Sequence, residues 1–157
     1  MTTTRALPAT EANLPLAIRV LRRLKPVMLA VLGSPLHGVL SRDILALSYR
    51  GRRSGRTFTL PLSYVTIGEH LYLCTRDSLW ARNLRDEPAV EIVLRGRRVP
   101  ATAHVLDSAS EEALAGLRAF LGRNPHTGAT LYDVRRGPDE SDLRREVLRS
   151  TVVRLDR

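Results

Sequence analysis

The middle of the chain alternates apolar and polar positions with the two-residue period that is typical of β-strands. This alternation predicts strands over 43–50, 56–67, 70–75, 90–95, 98–106 and 150–156. Short turns that contain glycine separate several of them, at 51–55, 68–69 and 95–97. Strands joined by such turns pair antiparallel, and closing them into a barrel removes exposed edges. We therefore expect a mainly β fold, a small antiparallel barrel with helices outside it.

Helical spacing of apolar residues marks three other segments. It predicts an N-terminal helix over 14–32, a short helix over 79–86 and a helix from Glu111 to about Gly122. Residues 1–12 are polar and are predicted to be a disordered tail, and residues 123–142, with two prolines and two glycines, are predicted to be irregular. At this length we expect a single domain over 13–157.

The chain carries a large positive charge that is almost entirely arginine. Its 157 residues include 25 Lys+Arg against 16 Asp+Glu, a formal charge of +9, and Lys25 is the single lysine. Such a charge favours anionic ligands, among them phosphates, carboxylates, nucleic acids and anionic lipids. Aromatic residues make up only 4%, whereas single-strand binders stack bases on several aromatic rings, and no common DNA-binding motif is present. We therefore expect a small anionic ligand and no nucleic-acid partner.

The number of cysteines and the length of the longest apolar run indicate in which cellular compartment the protein is located. Cys74 is the only cysteine, which excludes an internal disulfide and a cysteine-based metal cage and favours a reducing environment. The longest apolar run, over 27–32, is far short of the roughly 20 residues that cross a bilayer. A cytoplasmic location is expected. The arginines of the N-terminal helix leave open a peripheral contact of that helix with a membrane.

Few patterns in the chain point to conventional catalytic groups. Its four histidines are not at metal-ligand spacing and no G-x-S-x-G motif occurs, so neither a metal site nor a serine nucleophile is predicted. The segment 51–56, Gly-Arg-Arg-Ser-Gly-Arg, is more informative. Its glycines allow a tight turn, and its guanidinium forks match phosphate oxygens. Composition alone leaves two interpretations open, a phosphate site and a solvated hairpin.

Three ordered motifs carry a resemblance to a known family. They are Leu47-Ser-Tyr-Arg-Gly-Arg-Arg-Ser-Gly-Arg-Thr-Phe-Thr-Leu-Pro-Leu62, Trp80-x-x-Asn83-Leu84 and Pro88-x-Val90. At this spacing the segment over roughly 40–106 resembles the deazaflavin-dependent nitroreductase family. The resemblance implies a split antiparallel β-barrel of the FMN-binding type and the coenzyme F420. This coenzyme carries a phosphodiester and an oligoglutamate tail, and a basic chain suits so anionic a ligand.

The same resemblance implies a set of site residues. Arg52, Arg53 and Ser54 would hold the coenzyme phosphate. Pro61 and Leu62 would lie along the tricyclic ring, and Trp80 and Asn83 would face the coenzyme from the short helix. Tyr132 resembles a family tyrosine on the substrate side that could position or protonate an acceptor.

The chain also departs from the family pattern near the predicted anion site. Phe58 stands where the family commonly has an arginine, so Arg56 is the residue that could reach the same anion. Asp86-Glu87 replace the usual Ala-Asn and put acid beside that site. The loop before Trp80 lacks the usual glycine pair and proline. These departures keep FMN as an alternative cofactor.

The resemblance implies an F420H2-dependent oxidoreductase that passes a hydride to a quinone, a nitro compound or an activated double bond. The absence of a recognisable triad or metal cluster suits such an enzyme, because the coenzyme carries the reaction. The alternatives are an FMN-dependent reductase and a non-catalytic barrel that binds a cofactor, haem or lipid. The expected partners are a small-molecule electron acceptor and, as a further option, a second copy of the chain in a homodimer.

Overall fold

The computed structural model describes residues 26, 27, 29, 30, 42–76, 79–123 and 138–157. The strands in these ranges are β1 (Ile44–Arg50), β2 (Thr57–Ser63), β3 (Val65–Ile67), β4 (His70–Arg76), β5 (Ala89–Leu94), β6 (Arg97–Val105) and β7 (Ser150–Asp156). The helices are α1 (Leu79–Asp86), α2 (Glu111–Arg123) and α3 (Glu140–Leu148). Residues 26, 27, 29 and 30 are also helical. The predicted tail 1–12, most of the predicted helix 14–32 and Tyr132 lie outside the described residues.

The strands form one seven-stranded sheet in the order β2-β1-β5-β6-β7-β4-β3, and its neighbouring strands are antiparallel. Consecutive strands β2 and β3 occupy opposite edges of this sheet. The sheet therefore curls, because a chain that leaves one edge at Ser63 enters the other at Val65. This arrangement is the open antiparallel barrel with outer helices that the alternation predicts, so the predicted fold class is confirmed.

The prediction of one continuous strand over 56–67 is wrong at Tyr64. The Tyr64 N–H donates to the Asp43 carbonyl at 3.1 Å, outside the strand ladder, and the Tyr64 side chain is buried. Here the chain passes from β2 to β3. The apolar residues also switch at this point from even-numbered positions, such as Leu62 and Tyr64, to odd-numbered positions, Val65 and Ile67. In one continuous strand these two sets would lie on opposite faces. A parity change within a predicted strand thus marks the corner of the barrel.

Two apolar cores lie on the two faces of the sheet. The inner core fills the curled side and includes Leu45, Leu47, Leu71, Leu73, Ile92, Val153 and Leu155. The outer core lies between the sheet and two helices, and includes Tyr72, Val152, Leu114, Leu117, Phe120, Leu143 and Val147. Leu71, Tyr72 and Leu73 alternate between these cores, as the two-residue period of a strand requires.

Polar contacts fasten the outer helices to the sheet. The Arg76 guanidinium donates twice, at 2.8 Å, to the buried carboxylate of Glu146 on α3. The Tyr72 hydroxyl donates to Glu112 of α2 at 2.9 Å. Helix α2 also approaches the sheet closely at Gly116, where an added Cβ would lie 2.9 Å from the Tyr72 ring. These contacts place both helices on β4 and β7, away from the inner face.

Helix α3 begins inside the stretch 123–142 that the sequence predicts to be irregular, so that prediction is wrong from Glu140 onward. Asp139 is the N-cap, and its carboxylate accepts from the Asp142 N–H at 2.8 Å. Only Leu143 and Val147 supply buried apolar side chains. A nine-residue helix with two apolar anchors gives little periodic signal, and its stability depends on packing against the sheet. In the described part of the chain, no helix is both long and apolar enough to cross a membrane.

Candidate functional site

The segment 51–56, which we call the arginine loop, joins β1 to β2 in a tight turn. The Gly51 N–H donates to the Arg56 carbonyl at 2.9 Å, and the Gly55 N–H donates to the Gly51 carbonyl at 2.7 Å. Gly55 has φ of 63°, in the left-handed region that favours glycine. A Cβ on Gly51 would lie 2.8 Å from the Phe58 ring. Both glycines are therefore required for this turn.

Strand register places the arginine loop at one end of the sheet, which we call the loop end. Strands β1, β4 and β6 end here, and strands β5 and β7 begin here. Helix α1 follows β4, lies across the loop end and precedes β5. Its Trp80, Ala81 and Leu84 are buried in the inner core. The apolar face of α1 thus closes this end of the barrel and leaves its polar face beside the loop.

Asn83 of α1 clamps the arginine loop. Its side-chain oxygen accepts from the Arg52 N–H at 3.0 Å, and its side-chain nitrogen donates to the Leu79 carbonyl at 2.9 Å. One amide therefore joins a loop backbone to a helix backbone. Asn83 is a positioning residue for the loop, since its polar side-chain atoms are used in these contacts.

The arginines of the loop differ in their electrostatic surroundings. The Arg52 guanidinium pairs with Asp86 at 3.2 Å. For Arg53 and Arg56, no carboxylate among the described residues lies within ion-pair distance, and both side chains are exposed. The Ser54 hydroxyl accepts from the Arg56 N–H at 3.3 Å and so shapes the turn, and it donates to no described residue. This donor set of two unpaired guanidiniums and a hydroxyl fits a phosphodiester.

A stacked aromatic pair lies beside the loop. The rings of Tyr49 and Phe58 have centroids 5.7 Å apart and planes at 24°. Burial raises the pKa of the Tyr49 phenol, which keeps it neutral. Phe58 is 40% exposed, so part of its ring is open to a ligand. This feature was not predicted, although the replacement of the family's arginine by Phe58 is visible in the sequence.

The residues predicted to lie along the coenzyme ring or to face the coenzyme, Pro61, Leu62 and Trp80, do not all lie on the same side of the sheet. Leu62 pairs with Leu45 and packs partly against the inner core, whereas Pro61 pairs with Ala46 on the other face of β2. Trp80 is 9% exposed, and its indole N–H donates to no residue in the described ranges. A buried indole N–H usually finds an acceptor, and none of the described residues supplies one here.

The structure thus brings together Arg52, Arg53, Ser54, Arg56 and Asn83, with Trp80 on the buried face of the same helix. Pro61 and Leu62 lie further along β2, away from the loop. The acid predicted beside the anion site is present, because Asp86 contacts Arg52 directly.

The sequence of this chain matches the model of one protein family, described as F420H(2)-dependent quinone reductase, over residues 22–134. A search of curated proteins found no match. One similar solved structure is an F420-H2 dependent reductase, with TM-score 0.55 and 18% identity, covering 74% of this chain and 96% of that one. Another is described as a domain-swapped dimer, with TM-score 0.57 and 17% identity over 89% of this chain and 99% of that one.

A third similar structure is the heme storage protein HutZ from Vibrio cholerae, with TM-score 0.53 and 17% identity, covering 85% of this chain and 89% of that one. At such identities these structures show a shared fold. They agree with the split barrel that the resemblance implies, and the family match covers well over half of the chain.

Proposed function

The chain belongs to the F420H(2)-dependent quinone reductase family and is an F420H2-dependent oxidoreductase, and from this premise we propose that it reduces a quinone with F420H2 held by the arginine loop. One observation carries the proposal. A glycine-dependent turn, clamped to α1 by Asn83, presents Arg53 and Arg56 without a carboxylate partner in the described ranges. The family membership favours this function over the non-catalytic barrel.

The arginine loop is the part of the chain that suits the anionic end of the coenzyme. Arg53 and Arg56 would supply charge-assisted hydrogen bonds to the phosphodiester, and Ser54 would supply a hydroxyl. Arg52 would contribute once its contact with Asp86 opens or is shared. Because Asn83 already orders the loop, little conformational entropy remains to be lost on binding.

The partly exposed inner side of β2, from Phe58 beside the loop towards Leu62, would hold the ring of the coenzyme, which supplies the two-electron hydride chemistry when bound. Phe58 offers an exposed aromatic surface, and Trp80 offers an indole N–H that donates to no described residue. Of the two residues predicted along the ring, Leu62 faces the inner core and Pro61 faces away from it. We therefore assign the ring contact to Leu62 rather than to the Pro61 side chain.

Several finer assignments rest on the family alone. A quinone fits the family description, and reduction of nitro compounds or activated double bonds stays a prediction. Tyr132 is proposed to hold or protonate the acceptor. A homodimer is supported by the similar structure described as a domain-swapped dimer. A cytoplasmic location, with peripheral membrane contact through the N-terminal helix, stays a prediction.

The function is tested by mixing the anaerobic protein with F420H2 and a water-soluble naphthoquinone, and following the return of F420 fluorescence. We expect protein-dependent oxidation of F420H2 that saturates in quinone. The same assay with reduced FMN in place of F420H2 separates the two cofactors. Oxidation of reduced FMN alone, or tight F420 binding without turnover by any quinone, nitro compound or enone, would contradict the proposal.

Removing the carboxylate that holds Arg52 should strengthen coenzyme binding. Asp86→Asn deletes a negative charge beside the anion site and frees the Arg52 guanidinium. Exposed pairs of this kind are worth about 0.2–1 kcal/mol, so we expect the Kd for F420 to fall by up to about fivefold. The gain should shrink as salt rises, because the Debye length is only about 10 Å at 0.1 M. Fluorescence titration at two salt concentrations measures both effects.

Glu91→Gln is the matched control, because it makes the same change in net charge. Glu91 pairs with Arg98 on the far face of the sheet, and the two side chains are 46% and 74% exposed. Its Kd for F420 should equal that of the wild type. Equal gains in the two variants would mean that net charge alone, rather than the release of Arg52, controls affinity.

A further inference from the structure

A second basic site lies at the loop end, on the other side of α1. It is a cleft of about 640 Å³ whose lining includes Arg85, Ser108, Leu148, Arg149, Ser150 and Thr151. Arg85 belongs to α1, Ser108 follows β6, and the others come from the end of α3 and the start of β7. The cleft is thus assembled from elements far apart in the sequence. Nothing in the function proposed so far uses it.

The charges that line the cleft are unbalanced. Neither Arg85 nor Arg149 forms an ion pair with any residue in the described ranges. The single lining carboxylate, Asp107, accepts a hydrogen bond from the Ala109 N–H at 3.0 Å. The Ser150 hydroxyl donates to Glu146 at 3.3 Å, whereas the hydroxyls of Ser108 and Thr151 form no hydrogen bond with a described residue. Two guanidiniums without a carboxylate partner in the described ranges, together with two hydroxyls, make the cleft suited to carboxylates.

The position of Arg85 relates the cleft to the arginine loop. Successive residues of an α-helix are 100° apart, so Arg85 lies about 200° around α1 from Asn83, which clamps the loop. The loop and the cleft therefore flank one helix, whose width with side chains is about 10 Å. A chain that starts at the arginine loop reaches the cleft by passing around the exposed side of this helix, a path longer than its width. About four or five residues of extended chain, at about 3.5 Å each, are long enough.

We propose that this cleft binds the carboxylates of the oligoglutamate tail of F420. The inference rests on the proposed function, since it takes the arginine loop as the phosphate site. Starting from the loop, the tail passes α1, and its carboxylates pair with Arg85 and Arg149. The apolar side chain of Leu148, which is 63% exposed, lies under the methylene groups of the tail. The cleft then selects coenzyme molecules by the presence of a tail.

The test compares F420 that carries several glutamates with F420 from which the glutamates have been removed. Binding of each form is measured by fluorescence anisotropy for the wild type and for the double variant Arg85→Gln, Arg149→Gln. Exposed ion pairs change an equilibrium constant by up to about fivefold each. We expect the Kd for the tailed form to rise about tenfold at low salt in the double variant. The Kd for the tail-free form should change less than twofold.

Arg145→Gln is the control variant, because Arg145 also lies on α3 but pairs with Asp142 and does not line the cleft. It should bind both forms like the wild type. An equal loss for both forms in the double variant, or no loss for either, would overturn the tail assignment. If neither form loses affinity in the double variant and the wild type binds tail-free F420, only the tail assignment fails and the proposed function stands. If the wild type binds neither form, the proposed function itself fails, and the tail assignment with it.

Discussion

Replacing Arg53 and Arg56 together by alanine should raise the Kd for F420 roughly 100-fold without unfolding the protein. Each charge-assisted hydrogen bond to an anion contributes about 1.5–3 kcal/mol, and tenfold in Kd corresponds to about 1.4 kcal/mol. We take the low end of that range because both guanidiniums are exposed. The loss should diminish as salt rises, since these contacts are screened. Fluorescence titration of F420 at several salt concentrations measures it.

Arg52 is left in place in this variant for a structural reason. Its N–H is held by Asn83 and its guanidinium by Asp86, so alanine there would disturb the loop as well as its charge. The matched control is Arg97→Ala with Arg98→Ala, which removes two adjacent arginines at the opposite end of the sheet. The control should keep wild-type affinity. If the loop variant keeps its thermal stability and its affinity for F420, the arginine loop is a solvated hairpin and not the phosphate site.

The second large effect is expected for turnover in Tyr132→Phe. When a quinone accepts a hydride, negative charge develops on its oxygen, and a phenol hydrogen bond would stabilise that charge. Losing one such donor typically lowers the rate by about 10²–10³. The affinity for F420 should stay nearly constant, because the arginine loop rather than Tyr132 is assigned to the anionic end. Single-turnover oxidation of F420H2 with excess quinone, combined with a binding titration, separates the two quantities.

Tyr72→Phe provides the comparison for this variant. It removes a phenol that donates to Glu112 at 2.9 Å on the outer face of the sheet, away from the inner core. Its stability should fall by about 1 kcal/mol with turnover unchanged. A wild-type rate in Tyr132→Phe, with a quinone that the parent protein reduces, would assign Tyr132 to packing. Some other group, or water, would then supply the proton.

Most of the strands and the three glycine-containing turns could be predicted because their signals are local. Alternation identifies β1, β4, β5, β6 and β7 within a few residues of their bounds, and Gly55, Gly68 and Gly96 have the positive φ that their turns require. Helix α2 was predictable for the same reason, since the Ser110 hydroxyl accepts from the Ala113 N–H at 3.1 Å and caps its first turn. Helix α3 was missed because its two apolar anchors become informative only when packed against β7.

The corner at Tyr64 shows the limit of local reasoning within a strand. The change of parity between Leu62 and Val65 is visible in the sequence, but it is equally compatible with a bulge or a bend. Only the pairing of β2 with β1 and of β3 with β4 places the two strands on opposite edges. Strand pairing is long-range, so no window of sequence around Tyr64 contains it.

For the candidate site, the sequence alone determined where the arginine loop lies and which polar groups it carries, because the glycines, the arginines and Ser54 are consecutive residues of one turn. The tertiary structure decided which of these groups remain available to a ligand. Asn83 and Asp86 reach Arg52 across more than thirty positions of chain, and Arg85 and Arg149 line one cleft although they are far apart in the sequence. Such contacts depend on where α1 lies across the sheet. That position follows from burial of Trp80, Ala81 and Leu84 in a core drawn from every part of the barrel.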